Sequence, residues 1–217
     1  MHVVVPYAPD APKTRLEPVL SPAERSTLAR VMLEDVLDSI RGTGHEPTIL
    51  STEPLEIDAP VTVDERPLTE AVNAALGSRI RTASTESGTP EAIAIVMADL
   101  ALTTPDALEK LFAPETDVVI APGRGVGTNA LVVRHPEFRV DYHGGSYLDH
   151  RQIAEEVDAT LETVDSFRLG TDIDEPADLV EVLVHGTGNT PECLREFGFE
   201  LDSREGRLEV VRSAELR

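Results

Sequence analysis

The chain has 217 residues, with 19 Lys and Arg against 40 Asp and Glu, and a formal net charge of −21. That length and 41% hydrophobic residues fit one packed domain with a small appendage. The charge excludes binding of nucleic acid through phosphate neutralisation, and the longest apolar run, Ala92–Ala98, is far short of the ~20 residues that cross a bilayer. The N-terminus MHVVVPYAPD has no basic-then-apolar signal pattern, so a cytoplasmic protein is expected. The lone Cys193 has no disulfide or zinc partner and reads as a small apolar residue.

His2–Val5 reads as a strand, followed by a proline-punctuated loop through Pro18. Ser21-Pro22-Ala23-Glu24 supplies an N-cap, a proline at N1 and a glutamate at N3, and apolar residues then recur at helical spacing to Gly42. Pro47–Ser51 and Val61–Val63 read as strands and Leu68–Ile80 as a helix. Glu91–Met97 is continuously apolar after its first residue, the mark of a buried strand. Thr104-Pro105 opens a helix through Phe112. Asp117–Ala121 and Asn129–Arg134 are strands around a glycine-rich loop, and Ser146–Val157 is a helix with Ser146 and Asp149 in capping-box positions. Thr160–Val164 is a strand, and Asp172–Pro176 leads into a helix ending near Val184. Alternating strands and helices imply an α/β fold with a mostly parallel sheet covered on both faces. Residues 1–185 form this domain, and 186–217 an appendage whose segments Phe199–Leu201 and Arg207–Val211 suggest a β-hairpin.

In open α/β sheets ligands bind at the carboxyl ends of strands. Lys13, one of only two lysines, stands with Arg15 after the first strand, where cations suit phosphate; a solvated loop is the plainer alternative. Asp99 follows the buried strand and either caps the next turn or binds Mg²⁺ with substrate phosphates. In Asp172-Ile173-Asp174 the alternation sets both carboxylates on one side, with Asp174 also placed to cap the next helix. The loop Gly123–Asn129 reads GxGxG but precedes a strand, so it is no dinucleotide fingerprint. It either connects two strands or lets backbone approach a ligand, with Arg124 as an anion fork and Thr128 and Asn129 as neutral donors. Gly144-Gly145-Ser146 brings a turn to a helix N-terminus, where phosphate or carboxylate is favoured and where Ser146 also serves as a cap. His143 and His150 read as helix-entry residues rather than ligands.

The blocks PKTRLEPVLSPAERSTLARVMLEDVL, VNAAL, IVMADLAL, DVVIAPGRGVGTNAL, GGSYLDH and DIDEPADL run in order over residues 1–185. Together they resemble the CofC family of 2-phospho-L-lactate guanylyltransferases of coenzyme F-420 biosynthesis, in its halophilic archaeal form. The resemblance implies a glycosyltransferase-A-like, Rossmann-like nucleotidyltransferase fold, with GTP and a small phosphorylated hydroxy acid as substrates. It implies Mg²⁺ on Asp99, Asp172 and Asp174, and GTP phosphates at Lys13 and Arg15, which form the catalytic set with Asp99. Asn73 would lie near the nucleoside, and Arg124, Thr128, Gly144 and Ser146 would hold the acid. Phosphoenolpyruvate is the other candidate acid, a homodimer is expected, and the family's usual glycine three residues before the serine is His143 here. The alternatives are another nucleotidyltransferase, of sugar-phosphate or molybdenum-cofactor type, or a non-catalytic nucleotide-binding module.

A dispersed charge of −21 with two lysines also marks a surface adapted to salt, because self-repulsion is strong until screening shortens the Debye length to about 3 Å at 1 M. The melting temperature is expected to rise steeply between about 0.05 M and 3 M KCl. A melting temperature indifferent to KCl contradicts salt adaptation.

Overall fold

Every strand of the central sheet is built on period-two alternation. In β1 (His2–Tyr7), Val3 and Val5 point to one face and Val4 to the other; in β4 (Ile93–Val96), Ala94 and Val96 oppose Ile93 and Ile95. The computed structural model describes residues 1–86, 92–203, 206 and 208–213, and backbone only for 79–86. Glu91 and Arg207, at the edges of two expected strands, lie outside the described residues.

Seven strands form one sheet in the order β3-β2-β1-β4-β6-β5-β7, where β2 is Pro47–Ser51, β3 Val61–Val63, β5 Val118–Pro122, β6 Thr128–Val133 and β7 Leu161–Thr163. All pairings are parallel except those of β6, which runs antiparallel to β4 and β5. The expected mostly parallel sheet is therefore present. β1 runs two residues beyond its expected end, through Pro6 and Tyr7. Pro6 pairs with Leu50 of β2, beyond the reach of β4, whose pairing with β1 ends at Val4. A residue without an N–H is tolerated where the ladder has a free side.

Helices cover both faces. On one, α1 (Pro22–Gly42) and α3 (Pro105–Phe112) pack Leu33, Val36, Leu37, Leu108 and Leu111 against β1, β4, β5 and β6. On the other, Val72 and Leu76 of α2 (Leu68–Glu86) meet Phe138, Val140 and Ala154 of α4 (Ser146–Glu156). The capping box at Ser21 and Glu24 is formed as expected. The one expected at Ser146 is not: Gly145 is the cap, without a side-chain bond, and Ser146 is the first helical residue, buried against the fold. A serine turned inward cannot also reach back over its own N-terminus. A short helix α5 (Phe167–Gly170) and α7 (Thr190–Glu196) were not expected, although Asn189-Thr190-Pro191 carries a start signal. α6 (Leu179–His185) is entered through a 3₁₀ turn, Pro176–Asp178, whose cap is Glu175. Asp174 is thus not a helix cap.

After α6 the chain returns to α1. Cys193, Leu194 and Phe199 join Leu28 and Met32 in a third core, and β8 (Phe199–Asp202) and β9 (Glu209–Arg212) form the expected hairpin as a separate sheet. Asp35 fixes this docking. Its buried carboxylate accepts the backbone N–H groups of Asn189 and Thr190 at 2.7 and 2.8 Å, together with the Thr190 hydroxyl at 2.6 Å and the Asn189 amide at 3.1 Å. Gly188 permits this closeness, since a Cβ there would lie 2.3 Å from the Asp35 carboxyl carbon.

Asp35→Ala strands these donors, and it is expected to destabilise the protein by about 2–3 kcal/mol in molar KCl. Urea unfolding midpoints measure it; a loss under about 0.5 kcal/mol, the range of surface substitutions, contradicts the assignment.

Candidate active site

Strand order brings the site together. β1 and β4 end side by side, and β1 connects to β2 on its other side, so a crevice opens between their carboxyl ends. Because β6 is antiparallel, its beginning lies at the same edge: Met97 N–H donates to Asn129 O at 3.0 Å. Thr128 and Asn129 thus stand beside Asp99 in the fold.

Lys13 occupies the crevice. Its backbone is left-handed, φ 55° and ψ 45°, a conformation that costs an L-residue about 1–2 kcal/mol. The ammonium reaches Asp99 Oδ2 and Asp174 Oδ1, each at 2.7 Å, with the lysine side chain only 10% exposed. Burial pulls the Lys13 pKa down, and the charges of Asp99 and Asp174 more than reverse it, so the net shift is upward. Lys13 is a fixed cation. The exposed Arg15 adds a weaker 3.4 Å contact to Asp174 Oδ2. A cleft of about 490 Å³, lined by Pro12, Lys13, Arg15, Asp99 and Asp174, opens over this cluster. A second cleft of about 460 Å³ continues from it. They share Pro6, Tyr7, Ala8 and Met97, and the second is walled by Leu50, Pro67, Leu68 and Ala71, with Asp64 and Glu65 also lining it.

The three aspartates are divided. Ile173 is fully buried and its N–H donates to Asp99 O at 3.2 Å, which ties the DID segment to the end of β4. Asp174 goes to Lys13, whereas Asp172 Oδ1 accepts from Asn129 Nδ2 at 3.1 Å. Asn129 also donates to Leu169 O at 2.9 Å, and a Cβ on Gly123 would strike Asn129 Oδ1 at 2.5 Å. That explains the glycine at 123. Among the described residues no three His, Cys, Asp or Glu side chains are grouped to hold a metal. Two observations nonetheless fit a hard cation held with substrate phosphates: Asp99 Oδ1 is buried with no hydrogen-bond partner, and Asp99 and Asp174 line one cleft.

The remaining expected residues fall into two groups. Thr128 and Ser146 are buried at 4% and 3% exposure, and Gly144 holds a positive φ of 57° that suits glycine. The glycine loop meets the start of α4 directly, since Tyr147 N–H donates to Val126 O at 3.1 Å. Arg124 and Asn73 are otherwise engaged. Arg124 pairs with Asp178 at 2.6 Å, and Asp178 accepts the backbone N–H groups of Asp174 and Glu175, so this arginine braces the DID segment. Asn73 lines neither cleft; its amide exchanges two 2.9 Å hydrogen bonds with the backbone of Val140. Reading from sequence missed His150, which accepts from Asp141 N–H and contacts Thr128 Oγ1. Its signal was the four-residue spacing from Ser146, which sets both on one helix face.

Among the described residues no helix is long and apolar enough to cross a membrane. A solved structure of a putative nucleotide-diphospho-sugar transferase from Desulfovibrio desulfuricans shares the fold, with a TM-score of 0.69 at 16% identity, covering 90% of this chain and 95% of that one. Curated proteins from Haloterrigena turkmenica and Natrialba magadii, each named 2-phospho-L-lactate guanylyltransferase, are 61% and 57% identical over 100% and 98% of this chain and 99% of their own lengths. The family model described as guanylyl transferase CofC like matches residues 1–213, so the likeness extends past residue 185 into the tail. The chain belongs to the CofC-like guanylyl transferase family.

Proposed function

We propose that this guanylyltransferase transfers GMP from GTP to 2-phospho-L-lactate, with release of pyrophosphate, in coenzyme F-420 biosynthesis. The observation that carries the reading is the Lys13 clamp in the first of two continuous clefts, the one that holds the charged cluster, with a largely apolar second cleft running on from it. A nucleoside triphosphate has that same division. Its phosphates suit the lysine and arginine of the first cleft, and its base and ribose suit the apolar walls of the second. The acid then belongs on the β6 and α4 side, where Thr128 meets His150 of the helix that Gly144 and Ser146 open.

In the reaction a phosphate oxygen of the acid attacks the α-phosphorus of GTP. A new P–O bond forms, the bond from the α-phosphorus to the bridging oxygen breaks, and that electron pair leaves with pyrophosphate. The nucleophile is already ionised at neutral pH, so no general base is required. Two polyanions must instead be held in line against their repulsion. Lys13, kept charged by its two carboxylates, and the exposed Arg15 supply positive charge from this chain. Asp99 and Asp174 are the residues that would hold Mg²⁺, which when bound neutralises charge on the phosphates and orients them. Asp172, held by Asn129, would complete the set. The proposal also includes a halophile's cytoplasm as the setting and a homodimer as the expected assembly.

Pyrophosphate release in molar KCl with Mg²⁺ tests the reading. GTP with 2-phospholactate is expected to be the productive pair, with phosphoenolpyruvate as the competing acid. Release from CTP or ATP but not GTP contradicts it. Asp99→Asn keeps an acceptor for Lys13 while removing the charge, so the variant is expected to melt within a few degrees of wild type and to turn over on the order of 10²-fold more slowly. Near wild-type turnover at saturating Mg²⁺ removes Asp99 from the chemistry.

A further inference from the structure

The acid side of the site is organised by a residue that the phosphate cleft does not use. His150 is fully buried, one helical turn after Ser146. Its Nε2 lies 2.9 Å from the backbone nitrogen of Asp141, and its Nδ1 lies 2.8 Å from Thr128 Oγ1. A backbone N–H only donates, so Nε2 carries a lone pair and the proton of the neutral ring sits on Nδ1. Nδ1–H therefore donates to the threonine oxygen. Burial agrees with a neutral ring, pushing its pKa down to about 4 against the opposing pull of Asp149 and Asp141. Tyr142 packs edge-on against the imidazole at 5.3 Å between ring centroids, and Phe138 lies tilted at 6.0 Å.

The consequence falls on Thr128. Its oxygen already accepts one hydrogen bond, so its own hydroxyl proton is left to give, and no acceptor for that proton lies within hydrogen-bond distance among the described residues. A threonine fixed in this way is a donor, and a donor selects an anionic oxygen. The same imidazole joins the three segments that form the acid side: the start of β6, the loop at Asp141 and the first turn of α4.

We propose that His150 is a positioning residue that fixes Thr128 as a hydrogen-bond donor to a carboxylate or phosphate oxygen of the phosphorylated acid. The proposal rests on the reading of Thr128 as a contact to the acid, and it extends that reading to a residue that touches neither substrate.

Steady-state kinetics of four variants test it, because the two amides divide the functions of the ring. His150→Asn carries an N–H near the Nδ1 position and keeps the donor to Thr128. His150→Gln carries an acceptor near the Nε2 position and keeps only the bond from Asp141. His150→Gln is expected to raise KM for 2-phospholactate about tenfold, the effect of one hydrogen bond to an anion, with KM for GTP unchanged. His150→Asn should stay closer to wild type. Thr128→Val should raise the same KM, and the double variant Thr128→Val/His150→Gln should be no worse than Thr128→Val alone.

If Thr128→Val raises KM for the acid and His150→Gln does not, the positioning role is wrong while the reading of Thr128 stands. If Thr128→Val leaves that KM unchanged, the reading falls and the proposal with it. Additive effects in the double variant overturn it as well. Should the variants fail to fold, long-range ¹H–¹⁵N correlation spectra of the wild-type protein decide. A neutral ring protonated at Nδ1 at pH 7 supports the proposal; protonation at Nε2, or at both nitrogens, overturns it.

Discussion

The site depends on one ammonium group. Lys13 stands 86 residues from Asp99 and 161 from Asp174, and its two 2.7 Å contacts join the loop after β1, the end of β4 and the segment before α6. In a chain of charge −21 these carboxylates would repel one another; the lysine makes their approach favourable. Neither side of the cluster is stable alone. A buried ammonium without carboxylates would lose its proton or leave, and two facing carboxylates without a cation would separate. The left-handed backbone of Lys13 is held in place by this three-way fit.

Around that clamp the sheet divides the labour by strand direction. The parallel strands β1 and β4 deliver the charged groups from their carboxyl ends, and the antiparallel β6 delivers Thr128 and Asn129 from its beginning. One reversed strand therefore puts a pair of polar, neutral side chains next to the charged cluster without a long loop. Asn129 is the hinge between them, holding Asp172 on one side of the crevice while its neighbour Thr128 faces His150. Arg124 and Asp178 brace the same segment from outside.

Local pattern was the legible part. Strand positions followed from alternation and burial, and the placement of Lys13 in the crevice followed from its position just after the first strand. The alternation in Asp172-Ile173-Asp174 did set the isoleucine into the core and the two carboxylates away from it. Which partner each carboxylate would meet was not legible, because Lys13 and Asn129 come from distant strands whose adjacency is a property of the sheet order. The same limit explains Asn73 and Arg124. An amide that bonds the Val140 backbone and an arginine neutralised by Asp178 look, as letters, like free ligand donors. His150 reads as a local helix-entry residue and Ser146 as a cap as well as a ligand donor, although the helix turns both inward.

Substitution of the lysine tests the central claim most directly. Lys13→Met keeps much of the apolar stem and removes the charge, so the account predicts turnover reduced by on the order of 10²-fold or more in molar KCl with Mg²⁺, in a protein whose circular dichroism remains that of a folded chain. Turnover within about threefold of wild type, a difference under 1 kcal/mol, would show that the clamp neither assembles the carboxylates nor meets the phosphates.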